Sequence, residues 1–155
     1  MIRENQRLLN QINVLSDGAV VFFSLLAAYG IRFYLLPGAS FSIPFSYYCY
    51  LALAMVPLHL FTYASFGLYE SFRRSRIYQE LGKLFWANVL DLVLVLMVLF
   101  LTKEMHFSRM TLGIHFVLNT AVLGGKRVFL RLLLRHYREQ GFNQKLVIIL
   151  GGGDM

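Results

Sequence analysis

Charged residues are scarce in this sequence, and their scarcity excludes an ordinary soluble domain. They make up 15% of the 155 residues, whereas soluble domains carry about 25%. Hydrophobic residues make up 57%, and the mean hydropathy is +0.58. A soluble core of this size does not bury so large an apolar fraction, so we expect an integral membrane protein.

Cysteine and acidic residues are also few. Cys49 is the single cysteine, which excludes an intrachain disulfide and a cysteine-rich metal site. Eight acidic residues face 15 basic ones, for a formal net charge of +7. Because the basic residues flank apolar stretches, the charge indicates orientation in a membrane, and we expect no nucleic acid partner.

Long apolar stretches are what the sequence has in abundance. Four of them are long enough to cross a hydrocarbon core of about 30 Å, which takes about 20 helical residues. They cover residues 12–36, 45–66, 84–101 and 110–134. We therefore predict an all-α fold, a four-helix transmembrane bundle formed by residues 1–140. From Tyr78 the chain before the third span can also be helical, lying along the membrane surface or extending that span.

The distribution of Lys and Arg predicts the orientation of the bundle. Three basic residues lie on one side, Arg32, Lys103 and Arg109. The other twelve lie before the first span, between the second and third spans, and from Lys126 onward. Since cytoplasmic loops carry the excess of Lys and Arg, we expect both termini in the cytoplasm.

Two acidic residues lie within spans, where each costs about 2.5–3.5 kcal/mol on insertion scales. Asp17 and Asp91 lie about 8 and 10 Å inside their spans at 1.5 Å per residue. The fourth span brings two bases back to a similar depth. We predict one buried polar cluster made of Asp17, Asn88, Asp91, Lys126 and Arg127. Two interpretations stay open, a salt-bridge and hydrogen-bond network that fixes helix register, or a contact with a lipid phosphate or substrate.

A basic stripe follows the fourth span. Its arginines are spaced by four, four and three residues and so share one helix face. The predicted contacts with anionic lipid head groups, each worth about 1 kcal/mol, are made by this stripe and by the loop before the third span: Arg127, Arg131, Arg135, Arg138, Arg73, Arg74 and Arg76. Positive-inside anchoring and a site for a phosphate-bearing lipid both fit this pattern. His115 and Asn119, at i and i+4, favour interhelical hydrogen bonds over a metal site.

Residues that could carry catalysis are missing from the spans. There is no Ser/His/Asp set, no HExxH and no complete P-loop, so we predict no catalytic, cofactor or metal residue here. "LVIIL" is typical of a buried strand, and Gly151 and Gly153 match the first two glycines of G-x-G-x-x-G. We interpret residues 141–155 as a linker and the first strand and glycine turn of a truncated Rossmann-like domain.

Several motifs together resemble a known family. They are Asp17 with "AAYGIRF", "FGLYESFRRS", "QELGKLFWAN", "FSR", and the exit "KRVFLRLLLRHYREQGFNQKLVIILGGGD". In this order they resemble the N-terminal membrane region of bacterial polyprenyl-phosphate (undecaprenyl-phosphate) sugar phosphotransferases, which prime exopolysaccharide and capsule synthesis. The resemblance covers the whole chain.

The resemblance implies a multi-pass protein of the bacterial inner membrane that anchors and orients a sugar-1-phosphate transferase. It places the catalytic acids and magnesium in a further domain, none of whose residues is matched here. The partners it implies are an anionic lipid bilayer, polyprenyl phosphate and further copies of the chain. Two alternatives stay open: the membrane domain of a nucleotide-sugar dehydratase, and a small stand-alone transporter that uses Asp17 and Asp91.

Overall fold

The computed structural model describes residues 2–36, 44–69, 77–103 and 107–139, with side chains described between residues 10 and 133 of these ranges. Its helices are α1 (Ile2–Gly30), α2 (Phe45–Ser65), α3 (Ile77–Leu101) and α4 (Arg109–Glu139), and α1 continues into one π-helical turn, Ile31–Leu35. The all-α prediction is thus confirmed for the described residues. The linker, strand and glycine turn predicted for residues 141–155 lie outside the described residues.

Three of the four predicted spans correspond to helices that are long and apolar enough to cross a membrane. These are Asn10–Leu35, α2 and α3. The fourth helix is not among them, because His115, Asn119, Lys126 and Arg127 all lie along it. A fourth span therefore stays a prediction. Helix α3 begins at Ile77 rather than at 84, so the segment from Tyr78 extends the third helix.

The helices form a ring in which each one packs on two others. Helix α1 contacts α2 and α4, and α3 contacts the same two helices. Neighbours run antiparallel: Tyr29 near the end of α1 stacks on Phe45 at the start of α2, with ring centroids 5.2 Å apart. The side chains that point inward from all four helices therefore meet along one central axis.

The end of α2 shows why the chain turns where it does. Gly67 has a φ of 67°, a left-handed conformation that glycine adopts without steric cost. Its N–H donates to the carbonyl of Ala64, and the N–H of Leu68 donates to that of Tyr63, both at 3.0 Å. This is the Schellman arrangement that ends many helices, and it leaves the Leu68 carbonyl free to accept a bond from elsewhere.

The start of α4 explains the "FSR" motif. The Ser108 side chain accepts a hydrogen bond from the N–H of Thr111 at 3.4 Å, as a helix N-cap does. The Ser108 N–H donates to the Tyr48 hydroxyl at 3.2 Å, and the Phe107 ring lies 5.2 Å from the Tyr48 ring. The motif therefore begins α4 and joins it to the start of α2.

The interior is unusually polar and the outer surface is apolar. Buried residues include Asp17, Glu80, Asn88, Asp91, His115 and Arg127, whereas large apolar side chains such as Phe23, Phe61, Val93 and Phe100 are more than half exposed. A water-soluble bundle shows the opposite distribution, because exposed apolar area is unfavourable in water. Hydrocarbon around the bundle removes that cost.

Candidate functional site

Four charged residues form a buried ion-pair cluster at the end of the bundle that holds the α2–α3 turn: Asp17, Glu80, Lys126 and Arg127. The Arg127 guanidinium donates to Glu80 at 2.9 Å and to Asp17 at 3.3 Å. It also donates to the Leu68 carbonyl at 3.2 Å. One side chain thereby ties α4 to α1, to α3 and to the Schellman turn.

Lys126 completes the ion-pair cluster from the next position along α4. Its ammonium group donates to Asp17, to the Ser16 hydroxyl at 2.5 Å and to the Asn13 carbonyl at 3.1 Å. Asp17 therefore accepts from both bases, one on each carboxylate oxygen. Ionised groups hydrogen-bonded in this way are the strong bonds of a protein interior.

The charges of the ion-pair cluster balance. Two carboxylates face two bases, and the Arg127 and Asp17 side chains are each 1% exposed. Arg131, one turn further along α4, lies 3.9 Å from the second Glu80 oxygen with a 34% exposed side chain. Because the Lys126 ammonium and the two terminal nitrogens of Arg127 donate to protein acceptors, this geometry supports a register-fixing network rather than an open phosphate site.

A second set of polar side chains, the central polar group, fills the middle of the bundle: His59, Thr62, Tyr63, Asn88, Asp91, His115 and Asn119. Thr62 donates to Asp91 at 2.7 Å, and Tyr63 donates to Asn88 at 2.5 Å. Asn119 donates to the Tyr63 hydroxyl at 2.9 Å and to Asn88 at 3.1 Å. These bonds join α2, α3 and α4 across the interior.

The central polar group also contacts α1. Ser24 and His115 share a hydrogen bond of 2.9 Å, and the rings of His59 and His115 lie 5.7 Å apart. The predicted interhelical bonding of His115 and Asn119 is therefore confirmed.

The structure brings some predicted residues together and separates others. Asp17, Lys126 and Arg127 are in contact, whereas the described bonds of Asn88 and Asp91 go to other residues of the central polar group and to Thr120, all on α2 and α4. One reason is the early start of α3, which places Asp91 fourteen residues, or about 21 Å, from Ile77 at 1.5 Å per residue.

The residues predicted to contact head groups divide in a similar way. Arg127 is 2% exposed, so its guanidinium lies in the ion-pair cluster and not at the surface. Arg131 is half-buried beside Glu80. The side chains of Arg135 and Arg138, and the whole of Arg73, Arg74 and Arg76, lie outside the part of the chain that the structure describes.

Glu80 is the site residue that the sequence analysis missed. The sequence pattern places it in a segment that either lies along the membrane surface or extends the third span, yet it is 6% exposed and binds Arg127. A signal was present, because Glu80, Leu84, Asn88 and Asp91 are spaced by four, four and three residues and share one face of α3. A face that carries three polar residues on an otherwise apolar helix turns toward other helices.

Cavities in the described part of the bundle are small or apolar. The central one has about 10 Å³ of room for the centre of a water molecule and is lined by residues of the central polar group. A shallow groove of about 360 Å³ on α4 is lined by Met110, Gly113, Ile114, Val117 and Leu118. Among the described residues, no group of three or more His, Cys, Asp or Glu side chains is arranged to hold a metal ion.

Comparison with known protein families gives a match to part of the chain. A family model described as a CoA-binding domain matches residues 64–155, which include α3 and α4. No curated protein and no solved structure matches the chain.

Proposed function

We propose a function from one premise: this chain belongs to the CoA-binding domain family. That family occurs in proteins related to sugar transferases. On this basis the chain is the membrane anchor and orienting domain of a sugar-1-phosphate transferase that acts on a polyprenyl-phosphate lipid carrier in bacterial polysaccharide synthesis. Its location is then the bacterial inner membrane.

The ion-pair cluster is the observation that carries the proposal. An orienting domain has to hold its exit helix at a fixed angle, and α4 continues past the cluster to Glu139. Arg127 fixes α4 to α1, α3 and the Leu68 carbonyl near the end from which α4 leaves. A simple tether would need no such buried network, because apolar packing holds helices together without the desolvation cost of buried charges.

Exposed aromatic residues at both ends support embedding in a bilayer. Tyr34, Tyr47 and Tyr50 are exposed near one end, and Tyr78 and Trp86 near the other. Tyr and Trp are enriched at the two membrane–water interfaces, where their rings are amphipathic. Together with three helices of spanning length, they match a bundle that crosses the bilayer.

The cytoplasmic orientation of both termini makes a prediction about two loops. In a Cys49→Ala background, which removes the half-buried native thiol, we expect a membrane-impermeant maleimide to label Ser40→Cys in intact cells. Ser75→Cys is expected to react only after the cells are permeabilised, because the Lys/Arg excess keeps its loop inside. The reverse pattern would show that the bundle has the opposite orientation.

The transporter alternative is disfavoured by how the two acids are held. Asp17 accepts from Lys126 and Arg127, and Asp91 accepts from Thr62. Within the described bundle the cavity beside the central polar group has room for only one water molecule. An ion path through Asp17 would first have to break two buried ion pairs.

A CoA-type ligand also finds little support among the described helices. The groove on α4 is lined by apolar side chains, whereas the nucleotide end of CoA carries phosphates that require bases or backbone N–H groups. The family relationship therefore supports an association with sugar transferases rather than binding of CoA by the described helices.

A transfer assay on the full-length protein in membranes tests the proposal. With a labelled nucleotide sugar and polyprenyl phosphate, we expect a lipid-linked sugar phosphate, and no such product without the lipid. Arg127→Leu should lower the rate at least about tenfold, a change of about 1.4 kcal/mol, whereas Arg109→Leu, at an exposed position of the same helix, should not.

The same assay separates the alternatives by product. A dehydrated nucleotide sugar formed without lipid would identify the dehydratase and contradict the transferase. Ion flux through the purified protein in liposomes, abolished by Asp91→Asn, would identify the transporter. Equal rates for Arg127→Leu and Arg109→Leu, with a lipid-linked product, would contradict the orienting role of the ion-pair cluster.

A further inference from the structure

We propose that the centre of the bundle binds one water molecule, which donates hydrogen bonds to His115 Nε2 and Asn119 Oδ1. The site lies in the central cavity between α2, α3 and α4, and four polar residues line it: His59, Asn88, His115 and Asn119. Leu92 and Phe116 are among the apolar side chains that close it.

The tautomer of His115 follows from its partner. The Ser24 hydroxyl lies 3.0 Å from the Val21 carbonyl and 2.9 Å from His115 Nδ1. Because a carbonyl can only accept, we assign the single Ser24 proton to the bond with the Val21 carbonyl, and the Ser24 oxygen accepts from His115. His115 Nδ1 must then carry a proton and donate. A second proton on Nε2 would place an unbalanced charge on a side chain that is 3% exposed, which is costly in an apolar interior. Nε2 is therefore a lone-pair acceptor.

The oxygen of Asn119 is an acceptor of the same kind. Its amide nitrogen donates to the Tyr63 hydroxyl and to the Asn88 side-chain oxygen, which leaves the amide oxygen as the accepting atom. The oxygen has no donor within the described part of the chain, and neither does His115 Nε2. Two buried acceptors on cavity-lining residues thus lack a donor, and leaving such atoms unpaired is unfavourable.

One water molecule matches this arrangement in size, geometry and charge. The cavity volume of about 10 Å³ is at the lower limit of what a water molecule needs, about 10–15 Å³. His115 and Asn119 are separated by four residues of α4 and so are neighbours on one helix face, within reach of the two O–H bonds of a single water.

A neutral donor fits better than a cation. Asp91, the carboxylate of the central polar group, does not line the cavity. His59 lines it but directs its Nδ1–H to the Met55 carbonyl at 3.0 Å. The cavity therefore offers acceptors without a full negative charge to balance a metal ion.

Solid-state NMR of the protein in lipid bilayers tests the water site directly. With ¹⁵N-labelled histidine and asparagine and ¹³C-methyl-labelled leucine, we expect the His115 ring to show a protonated Nδ1 and an unprotonated Nε2. We also expect magnetisation to pass from water protons to the His115 ring and the Asn119 amide. The methyl groups of Leu123, which is fully buried on the same helix away from the cavity, should receive none above background.

A variant adds a second measurement. His115→Phe removes the Nε2 acceptor and fills the cavity, so the transfer from water to Asn119 should fall to the Leu123 level. If this variant fails to fold, the tautomer and the transfer in the unaltered protein still decide the matter. A proton found on Nε2 would overturn the proposal, as would transfer no greater than at Leu123 or shifts of the His115 ring that require Na⁺ or K⁺.

Discussion

Replacing Arg127 with leucine is expected to destabilise the bundle by about 3–5 kcal/mol, because it leaves buried acids without their partner. Among the ion pairs of the described residues, Glu80 would keep Arg131, at 3.9 Å, and Asp17 would keep Lys126. The Leu68 carbonyl would lose its bond from α4. Chemical denaturation of the purified proteins in mild detergent measures the difference in unfolding free energy between the variant and the unaltered protein.

Two matched variants isolate the electrostatic cause. Arg109→Leu removes a base from an exposed position of the same helix and should change the unfolding free energy by no more than about 0.5 kcal/mol. Arg127→Leu combined with Glu80→Leu restores the charge balance, and we expect it to recover at least half of the loss. A single variant no worse than Arg109→Leu, or no recovery in the double variant, would mean that the cluster does not act as an ion-pair unit.

Replacing Gly18 with leucine is expected to force α1 and α2 apart. A β-carbon at Gly18 would lie 3.3 Å from Val56 Cγ1 and 3.6 Å from Leu60, so the helices meet there with no room for a longer side chain. Overpacking of this kind costs about 1–3 kcal/mol. Since Asp17 is the adjacent residue, the displacement should also weaken the ion-pair cluster. Thermal unfolding in detergent measures the loss.

Gly125 supplies the control for Gly18. It is exposed, and an added β-carbon there has no neighbour within 4 Å. Gly125→Leu therefore gains helix propensity, worth up to about 1 kcal/mol, without a clash. Gly18→Ala should fall between the two, because Val56 needs to move only slightly. If Gly18→Leu proved as stable as Gly125→Leu, close packing of α1 on α2 would not be a constraint.

The depth of the charged residues below the membrane surface could be predicted in part from the sequence. Asp17, Lys126 and Arg127 were placed at a similar distance from one membrane surface, and they are in contact. Counting from residue 84 predicts the same depth for Asp91. Helix α3 begins seven residues earlier, and the true count moves Asp91 to the central polar group. The start of the span is hard to predict here because Gln79, Glu80 and Lys83 interrupt the apolar residues in the first two turns of α3.

The direction in which a side chain points from its helix was harder to predict than its depth. Arg127 was assigned both to the buried cluster and to the head-group stripe, since its spacing to Arg131 and its depth allow either. Glu80 was missed because a lone acid beside basic residues is usually solvated. Both assignments depend on how each helix is rotated about its axis, and rotation is decided by which partner side chains lie opposite.

The sequence by itself determined the class of this protein: helical, apolar on the outside, and basic toward one side. These are local properties, set by composition, by periodicity and by the length of apolar runs. Only the tertiary structure decided the pairing of Arg127 with Glu80 and of Asn119 with Tyr63. Each pair joins residues 47 or 56 positions apart, and a buried polar atom is stable only beside a complementary one, so packing selects the partner.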